Sequence, residues 1–255
     1  MSLYDYRELI KNLVVSDLKV KYANSMLGFA WSLLNPLLMM LVLYFVFSNF
    51  FGSGGSFVLY ILTGLLVWRF FSIGTSAALA SVVGKPSLVT KIYIPREILP
   101  LSSTLSSLIS SVLEFCVLVP LLFIFGIGLS PAILLFPVLL AMFFLIVYGM
   151  ALILSSLFVY FRDLNNIWDV LMQVGFFACP IMYPLSQLSK LPEQIKTLYM
   201  LNPVTLLIEM YRDIFLEGTV PDLWSFAIVL VFGVVLVVFG NAVFKRLQRR
   251  FAEEV

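Results

Sequence analysis

Histidine is missing from this 255-residue chain. Its absence removes the usual general base, the commonest metal ligand and the side chain that titrates near neutral pH. Charge is scarce as well: 12% of residues are charged and 62% are hydrophobic, with a mean hydropathy of +1.06. Soluble domains carry about 25% charged residues, so this sequence cannot cover a water-facing surface and reads as an integral membrane protein. A net charge of +2 is too small to point to nucleic acid. The two cysteines, Cys116 and Cys179, sit in apolar runs and form neither a disulfide framework nor a metal site. A phosphate-binding loop is lacking too. Gly84-Lys85 looks like the end of one, but Leu79 and Pro86 stand where the motif needs Gly and Ser or Thr. No catalytic residue, metal or cofactor of the chain's own is expected, and any ATP chemistry must belong to a partner.

What is present is apolar length. Six runs reach the roughly 20 residues that a helix needs to cross the hydrocarbon core: 26–51, 57–83, 98–125, 132–161, 164–183 and 223–244. Alternating-strand patterns are absent, which argues against a barrel. Turn chemistry separates the runs at Gly52-Ser53-Gly54-Gly55, from Gly126 to Pro131, and at Arg162-Asp163. The first run is too long for a secretory signal, and no small-residue cleavage site ends it. The fold class is therefore all-α, with a single transmembrane domain over 26–255 behind a helical segment at 1–25.

Lysine and arginine set the orientation. Arg7, Lys11, Lys19, Lys21, Lys85, Lys91, Arg96, Arg162, Lys245, Arg246, Arg249 and Arg250 fall on one side, and only Lys190, Lys196 and Arg212 on the other. Positive charge stays in the cytoplasm, so both termini are expected there. Before the first span, Tyr6, Leu9, Ile10, Leu13 and Val14 share one helical face opposite Asp5, Glu8, Asn12, Ser16 and Lys19. Such a helix lies in the membrane interface. It serves either as an anchor for the first span or as a docking surface for a cytoplasmic partner.

The stretch "DLKVKYANSMLGFAWSLLNP" (17–36) resembles the opening signature of type-2 ABC transporter permeases, and more narrowly the group that exports O-antigen, capsule and teichoic-acid polysaccharides. "LVTKIYIPREILPL" (88–101), "YFRDL" (160–164), "CPIMYP" (179–184) and "LNPVTLLIEMYRDIFLEG" (201–218) extend the resemblance, in order, over nearly the whole chain. Lys21 stands where Arg is usual and Ile94 where Phe is common. The resemblance implies a homodimer in the cytoplasmic (inner) membrane, paired with two copies of a separate ATP-binding subunit that carries the ATP and Mg. It implies a lipid-linked polysaccharide as the substrate.

The loop 85–100 is the longest cytoplasmic connection. Pro86, Pro95 and Pro100 bracket a short helix expected over 87–94. By resemblance this is the coupling helix, with Lys85, Lys91, Tyr93, Pro95, Arg96 and Glu97 at the ATPase together with Asp17 and Lys19. Without the resemblance it is a basic connector. On the outer side, 186–221 carries two helical patterns too short and too charged to span. One follows Pro192. The other has Asn202 as cap, Pro203 at its first position and Gly218 past its end. Val204, Leu207, Ile208, Tyr211 and Phe215 share a face there, and Glu209, Arg212, Asp213 and Glu217 supply polarity. These read as re-entrant or interfacial helices. The resemblance makes them an outer gate (Asn202, Pro203, Tyr211, Arg212), and the alternative is a lid on the bundle.

The third span opens with two serine ladders, Ser102/Ser106/Ser110 and Ser103/Ser107/Ser111. They line a path, or they let helices pack closely. Glu114, in the same arc, and Arg69, in the second span, are costly charges inside a membrane. Span ends place them ~9 Å apart in depth, which leaves pairing open. Asp169 sits in the first turns of span five, where the helix dipole favours it. Tyr44, Phe47, Phe51 and Phe177, with Ser103 and Ser107, are candidate pathway residues, because sugar C–H faces rest well on aromatic rings. The alternative for the aromatics is the interfacial belt. Three functions compete: polysaccharide export, export of a small lipophilic drug by a related permease, and an ion-driven carrier or membrane-embedded enzyme. Few intramembrane charges and no histidine disfavour the third.

Overall fold

The computed structural model describes residues 3–22, 30–51, 55–91, 93–185 and 192–254. Outside them lie the expected turn at Gly52-Ser53-Gly54, the signature residues 23–29, and Lys190 within 186–191. The side chains of Phe47, Phe51 and Lys196 also lie outside what is described. Among the described residues all regular structure is helical: α1 (Arg7–Tyr22), α2 (Ala30–Phe51), α3 (Gly55–Leu79), α4 (Pro86–Lys91), α5 (Ile98–Ile124), α6 (Phe136–Tyr160), α7 (Leu164–Ala178), α8 (Glu193–Leu201), α9 (Pro203–Arg212), α10 (Leu223–Leu247) and α11 (Phe251–Glu254).

Four stretches among the described residues are long and apolar enough to cross a membrane: 56–79, 98–124, 131–160 and 223–250. α2 is also apolar, and it runs through Pro36 as one 22-residue helix. The expected fifth span is shorter than its apolar run. α7 holds 15 residues, about 22 Å at the usual rise. It stops at Ala178 because Cys179 turns extended and Pro180 cannot continue a helix. The second helix ends at Leu79 rather than 83, in a turn over 80–84. The fourth opens with a 3₁₀ turn, Pro131–Leu135, capped by the Ser130 hydroxyl. The short loop helix covers Pro86–Lys91, not 87–94.

α3 is the centre of the bundle. It packs against α5, α6, α9, α2 and α7, and Val58, Leu59, Ile61, Leu62, Leu66 and Val67 on it are almost wholly buried. Lipid tails are as apolar as leucine, so hydrophobicity alone does not hold such helices together; close packing must. The α6–α10 contact illustrates this. A methyl group on Gly240 would lie 2.5 Å from the Gly149 carbonyl oxygen, and one on Gly149 would lie 2.7 Å from the Leu236 backbone. Ser107 of α5 lies beside Gly74 of α3, where an added methyl would be 3.7 Å from its Cβ. A second cluster sits at one end: Val82, Val89, Leu99, Leu152, Val159, Phe244 and Phe251. α1 lays Val14 and Leu13 onto protein, along α5, instead of leaving that whole face to lipid.

Gly240→Val is expected to force α6 and α10 apart and cost about 1–3 kcal/mol, the usual range for overpacking. Thermal unfolding of the detergent-solubilised protein measures it, and an unchanged midpoint would refute the close contact.

Candidate functional site

The candidate residues fall into three groups along the bundle. At one end, α4 has about a turn and a half, too short to be stable alone. Val89 anchors it in the apolar cluster, and Lys91 and Tyr93 project into solvent. Lys85 donates to Asp17 of α1 at 2.6 Å, both half-buried. Lys21 reaches Ser110 of α5 at 3.3 Å. Asp17 and Lys85, candidates from distant parts of the sequence, are therefore direct partners, while Lys19 is exposed. Arg96 turns inward and donates to the backbone carbonyl of Gln248, with its guanidinium 5.9 Å from the Phe251 ring centre. Glu97 faces Lys245 at 3.9 Å.

At mid-length, Arg69 and Glu114 pair. Nε donates to Oε2 at 3.1 Å and Nη2 to Oε1 at 3.0 Å, a bidentate arrangement. The Glu114 side chain is 6% exposed and Arg69 is 22% exposed. The long arginine side chain closes the axial offset that helix ends alone imply. The serine ladders around it are buried. Ser107 donates to the Ser103 carbonyl, Ser110 to Ser106 and Ser102 to Leu99, so these hydroxyls are satisfied within their own helix. Ser103 and Ser107 thus occupy a helix contact in the single chain.

α7 is different from the other helices. Trp168 is its buried side chain, donating from Nε1 to Thr75 at 3.0 Å, and Gly175 lies against the Trp68 ring. One exposed flank is apolar: Ile167, Val170, Leu171 and Val174. The other carries Asn165, Asn166, Asp169 and Gln173, all exposed, at spacings that share a helical arc. Asn165 donates to Asp169 at 3.3 Å. With Trp68, Ser72, Met172, Phe176 and Phe177, Asp169 and Gln173 line an open cleft of about 470 Å³. Phe177 is 72% exposed and Tyr44 43%. The polar stripe escaped sequence reading, although Asn165, Asp169 and Gln173 at i, i+4, i+8 signal it.

Among the described residues, the most enclosed charge is on α9. α9 begins as expected, with the Asn202 side chain accepting from Val204 N at 3.0 Å and Pro203 at the first position. It ends in a π turn, Asp213–Glu217, closed by Gly218. Gly218 needs its identity: φ is +69°, and Ser130 crowds the place of a side chain while donating to the Gly218 carbonyl at 2.8 Å. Arg212, one of the residues expected to supply polarity on α9, is buried to 1% exposure. Its guanidinium carbon lies 3.4 Å from the Tyr60 ring centre. It donates to Glu209 at 2.6 Å, to the Tyr60 hydroxyl at 2.7 Å and to the Ile181 carbonyl at 3.0 Å. Gly64 leaves the space, since a methyl there would lie 2.8 Å from Nη2. Tyr211 is wholly buried too, stacked on Phe115 at 5.0 Å. Burial pushes the Glu209 carboxyl up and the Arg212 guanidinium down, and each charge opposes that effect on the other. Burial also pushes the Asp213 carboxyl up to about 6, with Glu217 and Glu209 adding to it.

The pattern of the ABC-2 type transporter matches residues 8–216, and the chain belongs to that family. It is 32% identical over 255 residues to the O-antigen export system permease protein RfbA of Myxococcus xanthus, covering 99% of this chain and 97% of that protein. Two proteins of Klebsiella pneumoniae with the same name are 30% and 28% identical, each over 98% of this chain and 95% of their own length. The chain is a multi-pass membrane permease.

Two outcomes follow from the charges. Glu114→Gln leaves Arg69 unmatched and is expected to cost about 3–5 kcal/mol, while Arg69→Gln added to it recovers part of the loss. Strictly additive losses in thermal stability would mean the two groups do not interact. For Asp213, the folded protein holds its proton more tightly than the unfolded chain. That contribution to stability is complete below the ordinary carboxylate value and is lost as pH rises through about 6. Asp213→Asn should therefore raise the melting temperature near neutral pH and leave it almost unchanged near pH 4. An equal effect at both would contradict the raised value.

Proposed function

We propose that this chain is the membrane subunit of an ATP-driven exporter that moves a lipid-linked polysaccharide of the O-antigen kind out of the cytoplasm. The names of its relatives support the substrate class. The observation that carries the mechanism is the polar flank of α7. A membrane helix that presents Asn165, Asp169 and Gln173 on its outside cannot turn that flank to hydrocarbon; it must face protein or water. The neighbouring apolar flank suits lipid. Two copies of the chain, brought together with their polar flanks inward, enclose a wet path walled by aromatic rings and polar side chains. Sugars need both, rings beneath their C–H faces and hydrogen-bonding groups for their hydroxyls.

In this reading the chain crosses the cytoplasmic membrane six times, with α2 and α7 completing the set and both termini in the cytoplasm. Residues 1–25 form the interface segment and 26–255 the transmembrane domain. ATP and Mg bind two copies of a separate subunit, and α4 receives their motion, with Lys85, Lys91, Tyr93 and Glu97 around it. The outer helices α8 and α9 gate the exit. Arg212 fixes α9 to α3 and to the turn at Ile181, so the gate moves together with the central helix.

Cysteine placement tests the wall. In a background with Cys116 and Cys179 replaced by alanine, Gln173→Cys is expected to react with a water-soluble thiol reagent and to be alkylated by a lipid-linked glycan that carries a maleimide. Val174→Cys, on the apolar flank, is expected to do neither. Labelling of Val174→Cys with Gln173→Cys silent would place the path elsewhere. Alkylation by a lipophilic drug that carries a maleimide, in place of the glycan, would change the substrate class.

A further inference from the structure

The segment after α10 does more than end a helix. Phe251 is wholly buried, its ring edge-on to Phe244 at 5.4 Å and tilted against Tyr160 at 6.3 Å. It belongs to the same cluster as Val89, the buried residue of α4, and α11 packs against both α4 and α6. Three polar contacts close the segment from outside. Arg96 donates to the Gln248 carbonyl, the Tyr160 hydroxyl donates to the Leu247 carbonyl at 2.7 Å, and Arg162 donates to the Glu254 carbonyl at 3.4 Å. Lys245 faces Glu97 across the loop.

A helix of six residues does not hold its own direction. The position of α4 is set by what Val89 packs on and by the loop on either side of it. On one flank that is α1, through Asp17 and Lys85. On the other, Arg96 is engaged with the chain's own last turns, at the backbone of Gln248 and over the Phe251 ring. The basic loop is thus bridged to α10, the helix that leads back to the outer segment.

We propose that residues 248–254 form a positioning clamp for α4, with Phe251 as its plug and Arg96 as its strap, and that this clamp sets how much ATP is used per exported chain. The inference rests on the reading of α4 as the element that meets the ATPase. Phe251 and Arg96 are positioning residues: they touch neither substrate nor nucleotide and act through α4. A loosened clamp lets α4 yield under the partner's stroke, so hydrolysis continues while the stroke is not passed on to α6 and α10.

The test uses the full chain assembled with its ATP-binding partner in proteoliposomes, and reads ATP hydrolysed per lipid-linked glycan exported, normalised to assembled complex. Phe251→Ala is expected to raise this ratio roughly fivefold, the low end of ordinary coupling strengths. Phe251→Leu, which keeps an apolar plug, should restore most of it. Arg96→Gln keeps the Phe251 side chain in its cluster and should raise the ratio, so it decides the matter if Phe251→Ala fails to assemble. In the Phe251→Ala background it should add nothing further, because both act through one contact. Lys91→Glu, on the exposed side of α4, serves as the reference. If Lys91→Glu raises the ratio while Phe251→Ala and Arg96→Gln leave it at the parent value, α4 couples but the clamp is wrong. If Lys91→Glu itself leaves the ratio unchanged, the coupling role of α4 fails, and the clamp fails with it.

Discussion

A guanidinium removed from water must be matched where it stands, and Arg212 is removed almost completely. Its partners come from three elements: Tyr60 on α3, the Ile181 carbonyl in the turn after α7, and Glu209 on α9. Losing any one leaves a buried donor unsatisfied, which costs more than the contact contributes when made. That asymmetry fixes the outer segment to α3. One face of the same helix carries Arg69, whose carboxylate partner on α5 ties α3 to the serine-rich helix. α3 is thus joined by charge in two directions and by close packing in the rest. Elements that move must move with it or around it.

This arrangement gives the permease its shape of action. One end has a short helix, α4, that borrows its direction from α1 on one side and from the final turns on the other. α9 is a second short helix, locked to the central one. Between them α7 lies on the outside of the bundle with one flank fit for lipid and one for water. A single chain with such a helix is incomplete in a membrane, because its polar flank must be covered by protein or by a water-filled path. The proposed pairing of two copies answers that requirement and makes the path at the same time.

Much of this was legible in the sequence, and the reasons differ by element. Apolar length gave the long helices, since hydrocarbon thickness is a simple ruler. The α9 cap was legible because Asn-Pro at one end and Gly at the other each answer a local backbone need. The Arg69–Glu114 pair was legible only as a question: depth along two helices is one coordinate, and contact needs three. The burial of Arg212 was not legible for a related reason. Helical periodicity separates apolar from polar faces but does not report that a polar residue faces a second helix. Gly64, 148 residues away from Arg212, carries no local sign of the space it leaves. The extent of α7 was overstated because composition continues past Ala178 while Pro180 ends the helix. Phe251 follows the basic run Lys245–Arg250 and reads as a tail residue, and only tertiary packing makes it a core one.

The proposed export requires directional, ATP-dependent movement of a glycan. The decisive measurement is transport in proteoliposomes containing this chain with its ATP-binding partner, loaded with lipid-linked polysaccharide on the side where the nucleotide is supplied. The predicted result is appearance of the glycan on the opposite face with ATP, none with a non-hydrolysable analogue, and no dependence on an imposed proton gradient. Transport driven by the gradient alone, or export of a small lipophilic compound with the glycan left behind, would contradict it.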